Sequence, residues 1–263
     1  MANIVVCADG TWNRPEEDIE KDFPTNVLKL ARAISPSTSA LKQQVFYDWG
    51  LGSYHDRVSA GATGRGIHKN ILDGYRYIVQ NYAEGDRIYL FGFSRGAYTV
   101  RALSGLINNC GILKRPQAAL ISSAWKIYKS PQKKNHPDGD AAVQFRNAHA
   151  HPSRAVHFIG VWDTVGALGL PFSFMGLFER HDEFYDTKMG PNVAYARHAL
   201  AIDEQREAVV VAAVRRATVR DLDVHDAAPV RRVARRARQA GREQPYAVVQ
   251  KPHGRWRWKA VKL

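Results

Sequence analysis

The feature that most constrains this chain is a junction at residues 87–107. Arg87 to Phe93 (RIYLFGF) is a compact apolar run of strand character. Gly92-Phe93-Ser94-Arg95-Gly96 follows, and Ala97, Val100, Leu103, Leu106 and Ile107 then recur at helical spacing. A G-x-S-x-G between a strand and a helix puts a serine on a tight, strained turn. Gly92 and Gly96 remove the Cβ atoms that would keep strand and helix apart. The helix N-terminus then aims partial positive charge at the serine, and the Arg95 N–H can donate to an oxyanion. The chemistry this favours is nucleophilic attack by Ser94 on an ester carbonyl.

The rest of the chain is compatible with that junction. Asn3–Ala8, Gln44–Trp49 and Val156–Trp162 read as strands. Helical periodicity follows Thr25, a candidate cap, and recurs at Ile67, Ile71, Tyr75, Ile78 and Val79. Residues 114–154 are polar and read as an insertion with a helix near Ala118–Tyr128, and Asn192–Ala201 is predicted to be helical. Strands alternating with helices, together with the serine junction, predict an α/β fold of the α/β-hydrolase type, with a mostly parallel sheet and helices on both faces.

Two further segments belong at the carboxyl ends of strands, where open α/β sheets gather their chemistry. Asp163, in GVWDTVG, follows the strand that ends at Trp162. In this fold type the order is serine, acid, histidine, so Asp163 suits the acid that orients an imidazole. A helix cap or a loop salt bridge is the alternative. Asp9-Gly10-Thr11-Trp12 follows the first strand. Backbone N–H groups of Gly10 and Thr11 can complete an oxyanion hole, or Asp9 can pin the loop, or the segment is an ordinary turn.

Other classes are disfavoured. The two cysteines, Cys7 and Cys110, form no disulfide framework, and no Cys/His spacing suggests zinc. The Gly61–Gly66 stretch is neither a dinucleotide fingerprint nor a Walker loop, and reads better as a loop over the site. No cofactor or metal is therefore expected. The run Ile4–Ala8 is too short for a signal peptide, and no apolar run approaches the roughly 20 residues of a membrane span. A cytoplasmic location in the producing cell is expected. The formal net charge is +13, but residues 208–263 hold 14 Lys/Arg against four Asp/Glu, leaving +3 for residues 1–207. The basicity belongs to the tail and says little about a ligand of the body.

The blocks CADGTWN (7–13), TNVLKL (25–30), YDWGLGS (47–53), GATGRGI (61–67), GFSRGAYTVRAL (92–103), GVWDTVGALGLP (160–171) and HALAIDEQR (198–206) together resemble a group of uncharacterised α/β hydrolases. That group includes bacterial type VI secretion phospholipase effectors. The resemblance covers residues 1–207 almost continuously. It implies an α/β-hydrolase catalytic domain, a Ser–Asp–His triad, and carboxylic-ester hydrolysis of lipid or phospholipid. Ser94 and Asp163 match the family's nucleophile and acid. It also implies delivery by type VI secretion, contact with a membrane surface, and a secretion-apparatus or immunity partner. No nucleic acid is expected.

Residues 208–263 depart from this pattern. The family's G-V-H-x-D-V-G-G-G-like motif, which carries its histidine, is absent, and 208–242 are mostly Ala, Val and Arg, as in a frameshifted or truncated tail. His225, in DLDVHD, is the candidate base in the altered stretch, and His253 is the other tail histidine. Neither matches the motif. His157 and His198 lie within the matching region and read as packing or loop residues. Three readings follow: an active lipid esterase, a remnant lacking its histidine, or a binder of anionic surfaces through nine arginines in 208–242.

Overall fold

A computed structural model describes residues 1–10, 13, 15–16, 23–35, 37–38, 41–49, 65–162 and 190–200, together with the backbone of two strands at 246–250 and 257–261. Five strands form its parallel part: β1 (Ala2–Ala8), β2 (Lys42–Asp48), β3 (Arg87–Phe93), β4 (Val156–Trp162) and β5 (Val193–Leu200). Two antiparallel strands, β6 (Tyr246–Gln250) and β7 (Arg257–Val261), continue the sheet beyond β5. The order is β2-β1-β3-β4-β5-β6-β7. This is the expected α/β architecture.

The helices are α1 (Asn26–Ala33), α2 (Arg65–Asn81), α3 (Arg95–Cys110), α4 (Ile121–Tyr128) and α5 (Asp140–His149). They cover both faces, as the alternation along β1 requires. Ile4, Val6 and Ala8 face α2, α3 and α4 in a large core that includes Ile71, Tyr75, Leu90, Leu103 and Trp125. Val5 and Cys7 face the other way, toward Val27, Ala31 and Ile34 of the α1 segment and the aromatic rings Tyr47, Tyr89, Phe91, Phe93 and Trp162. A strand buried on both sides reads as one continuous apolar run, and for that reason β1, β3 and β4 stand out in the sequence.

The stretch 114–154 is the expected insertion. It holds a 3-10 turn (Arg115–Leu120), α4 and α5, and packs where α3 ends. There Asn109 Nδ2 donates to the Asn135 carbonyl (3.0 Å) and Arg146 Nη1 donates to the Asn109 carbonyl (2.5 Å). One element differs from expectation. Val193–Leu200 is a strand, not a helix: it pairs in parallel with β4, Phe158 opposite Tyr195 and Val161 opposite His198. Its alanines favour a helix locally, but the open edge of β4 supplies a full ladder of hydrogen bonds.

Candidate active site

In a parallel sheet all the strands end on one edge. Here that edge carries Asp9 after β1, Asp48 at the end of β2, Ser94 after β3 and Trp162 at the end of β4. Ser94 caps α3 with φ 53° and ψ −115°, and it is the sole non-glycine residue at positive φ among the described residues. Such a backbone costs on the order of 1–3 kcal/mol and persists only when its surroundings enforce it. They do so here. The Ser94 N–H donates to the Trp162 carbonyl (3.1 Å), tying the turn to β4.

Glycines make the turn possible. A Cβ on Gly96 would overlap the Ala8 carbonyl and lie 2.7 Å from the Asp9 carbonyl oxygen. A Cβ on Gly92 would overlap the Gly96 carbonyl and lie 2.6 Å from the Ala97 nitrogen. The start of α3 therefore runs in backbone contact with both β3 and the end of β1. The spacing of G-x-S-x-G is this contact written in sequence.

Arg95 opens α3, so its N–H lies in the first turn, at the positive end of the helix dipole. The residue is 7% exposed, and burial pulls its guanidinium down to about 10. It stays cationic at neutral pH.

Asp9 is 4% exposed and saturated with donors. Its Oδ1 accepts from the Gly10 N–H (2.8 Å); its Oδ2 accepts from the hydroxyls of Thr25 (2.5 Å) and Tyr47 (2.7 Å). Of the readings open for this segment, the carboxylate takes the pinning one. It joins β1, β2 and the start of α1. The Gly10 N–H, a candidate oxyanion donor by sequence, is directed at Asp9 instead, because the carboxylate is the stronger acceptor within reach. The turn continues with the Asn13 N–H on the Gly10 carbonyl (3.0 Å). Burial and Asp9 push the Cys7 thiol up to about 12, and burial with the Asp9 bond raises the Tyr47 phenol well above its ordinary range. Neither ionises near neutrality.

Asp48 was not singled out by sequence reasoning, and nothing local marks it. Its Oδ2 is buried without a hydrogen-bond partner. Burial first, then the nearby Asp73 carboxylate, lift it to about 7, against the opposing pull of Lys69 and a hydrogen bond from Asn70.

Thr11, Asp163 and His225 lie outside the described residues, as does His253. The histidines that are described divide by edge. His157 is the second residue of β4, five residues before Trp162, so it sits about 16 Å down the sheet from the serine's edge. Its ring packs edge-on to Tyr89 and Tyr195 (5.0 and 5.4 Å), a packing role as expected. His136, His149 and His151 lie with the insertion, at the end of α3 farthest from Ser94. His68, in the opening turns of α2, packs edge-on to Trp125, and His198 pairs opposite Val161 near the end of β5.

A mostly parallel α/β sheet with a strained serine at its third strand-to-helix turn has the architecture of the α/β-hydrolase class. The chain belongs to the family described as the type VI secretion system phospholipase effector Tle1-like catalytic domain, whose model matches residues 2–233. It is also 27% identical over 226 residues to the Uncharacterized protein YEL023C of Saccharomyces cerevisiae. That match covers 78% of this chain and 31% of the yeast protein, so the chain spans about a third of that relative's length. A relative in yeast is at odds with taking the resemblance as a sign of bacterial origin. No solved structure matches. Among the described residues no helix is long and apolar enough to cross a membrane.

Proposed function

We propose that the chain is a serine hydrolase that cleaves carboxylic esters of lipid or phospholipid, with Ser94 as the nucleophile. The observation that carries this reading is the Ser94 backbone. A serine at φ 53°, stitched to β4 and wedged between two glycines, is strain retained at a site where an exposed hydroxyl is useful. Membership of a phospholipase family supplies the substrate class.

In the proposed reaction Ser94 Oγ attacks the ester carbonyl carbon and its proton passes to a histidine base. The tetrahedral oxyanion is held by the Arg95 N–H, the helix dipole and the amide of Thr11. The C–O bond to the alcohol breaks, and the leaving oxygen takes the proton from the base. Water, deprotonated by the same base, then releases the acid. Asp163, next in the chain after Trp162, is the proposed orienter of the imidazole, and His225 the proposed base. Of the described histidines, His136, His149, His151 and His157 lie toward the edge opposite Ser94, whereas His68 and His198 lie toward the serine's own edge.

The test is hydrolysis of a short-chain p-nitrophenyl ester by the native chain and by Ser94→Ala. Loss of about three orders of magnitude or more in the variant is expected. Turnover unchanged by the substitution refutes the nucleophile. No turnover in either favours a second reading, a remnant whose elbow persists without a base, for which the motivating observation is the departure of 208–263 from the family's histidine motif. Delivery by type VI secretion and an immunity partner follow from the family alone and belong to the same proposal.

A further inference from the structure

The side chains of β3 divide by face. Ile88 and Leu90 are fully buried beneath α2 and α3, whereas Tyr89, Phe91 and Phe93, on the α1 side, are half-buried. That side carries more rings on the next strands. Phe91 packs on Phe158 (5.5 Å between ring centres) and Trp162 (6.3 Å), and His157 bridges Tyr89 to Tyr195. A Cβ on Gly160 would lie 2.8 Å from Phe91 and 2.9 Å from Phe158, so the glycine leaves room for these rings. Helix α1 packs on β1, β2 and β3, while the chief helical neighbour of β4 is α3, on the other face. Tyr195 of β5 is 50% exposed. A parallel sheet is ordinarily covered on both faces, and half-exposed rings forfeit part of the stabilisation that burial supplies.

Chain geometry decides which segment can lie there. The crossover from β1 to β2 runs one way along the sheet with α1 on this face; those from β2 to β3 and from β3 to β4 run the other way with α2 and α3 on the opposite face. All three therefore share one hand, the right-handed one that such crossovers almost always take. Residues 163–189 continue from β4 to β5 in the second direction, and the same hand sends them to the α2–α3 face. Residues 201–245 are not so constrained. They join antiparallel neighbours, and they leave and re-enter the sheet at one edge, because Leu200 stands opposite Ala247. A hairpin there needs about two to five residues, so the stretch is long enough to cross the open face and return. It contains 208–214 (AVVVAAV), the longest unbroken apolar run in the chain, in surroundings otherwise rich in arginine. A run that is apolar on every side needs burial. The family match includes it.

We propose that residues 208–214 pack across the aromatic face of β4 and β5, over Phe158 and Tyr195, and complete the second layer of the sheet. Trp162, whose carbonyl holds the Ser94 N–H, lies on that face, so the cover also steadies the serine turn. Such packing does not depend on ester hydrolysis.

The test is cross-linking of the full chain with a short bismaleimide. Cys7 and Cys110 are buried, and burial pushes both thiols up to about 12, so the native pair stays unreactive. Tyr195→Cys with Val211→Cys is expected to link within one chain about tenfold or more faster than Lys126→Cys with Val211→Cys. Lys126 is exposed on α4, at the other face. Equal rates in the two pairs, or no link to position 195, overturn the proposal. Links formed between chains overturn it in favour of a second copy on the face. Hydroxyl-radical footprinting of the native chain decides without any variant, should a cysteine pair fail to fold. Oxidation of Tyr195 nearer that of the buried Tyr82 than that of Phe23 (89% exposed) is expected, and oxidation nearer that of Phe23 overturns the cover.

Discussion

Gly96 shows how little room the elbow leaves at the scale of one residue. The Ala8 carbonyl that a Cβ would strike is backbone of a central strand, paired on both sides, so it cannot turn away as a flexible side chain would. Gly96→Ala is expected to cost about 2 kcal/mol or more by overpacking, read as a drop in thermal midpoint, and to lower ester hydrolysis through displacement of Ser94. An unchanged midpoint would mean that α3 does not start against β1. Asp48 gives a pH-dependent counterpart. Its folded value of about 7 lies above the ordinary 3.8, so the folded state prefers the neutral acid. The associated stability is complete below about pH 4, declines between pH 4 and 7, and stays lost above pH 7. Asp48→Asn should therefore match the native chain in melting at pH 4 and exceed it by a growing margin up to pH 7. A margin that is constant with pH would show Asp48 to be solvated. Of these residues the sequence displays Ser94, Gly92 and Gly96, because their pattern is complete within five consecutive positions, even though Gly96 packs against Ala8 and the Ser94 N–H reaches Trp162. The role of Asp9 stays ambiguous there: its choice between pinning the loop and leaving Gly10 free depends on Thr25 and Tyr47, 16 and 38 positions away.

Elements follow the same division between local and distant causes. Arg87–Phe93 and Val156–Trp162 are strands in sequence and structure alike because burial on both faces writes itself as a continuous apolar run. Val193–Leu200 contains three alanines and lacks such a run, so its strand state comes from β4 and not from its own composition. Helix α1 is legible from its cap. Thr25 Oγ1 accepts the Leu28 N–H (3.0 Å), and the same hydroxyl donates to Asp9. Thr25→Ala removes both bonds and is expected to destabilise by about 1–2 kcal/mol in denaturant titration, whereas Thr25→Ser keeps both and stays close to native. Equal loss in the two variants would assign the effect to the methyl group's packing and remove the hydroxyl from the account.

For the whole molecule the question is what closes the sheet on the side of β5. By sequence, residues 208–263 depart from the family pattern, and their Arg-rich stretch gives no periodicity from which to read an element. The family match nevertheless runs to residue 233, and β6 and β7 extend the sheet from within the same tail. β6 covers the outer edge of β5 by antiparallel pairing of Arg197–Leu200 with Ala247–Gln250. An uncovered edge strand presents a row of unpaired amides and carbonyls, and such edges recruit other chains. A chain ending at residue 245 should therefore self-associate at micromolar concentration, seen as higher-order species in analytical ultracentrifugation. If the cause is the bare edge, then Ala199→Lys in the shortened chain should restore the monomer, because a charge at the centre of that edge resists strand addition. If the cause is instead lost core burial, the lysine does nothing and the melting transition broadens. A shortened chain that remains monomeric with a native melting curve would show that β5 needs no cover, and that β6 and β7 contribute nothing to the body of the protein.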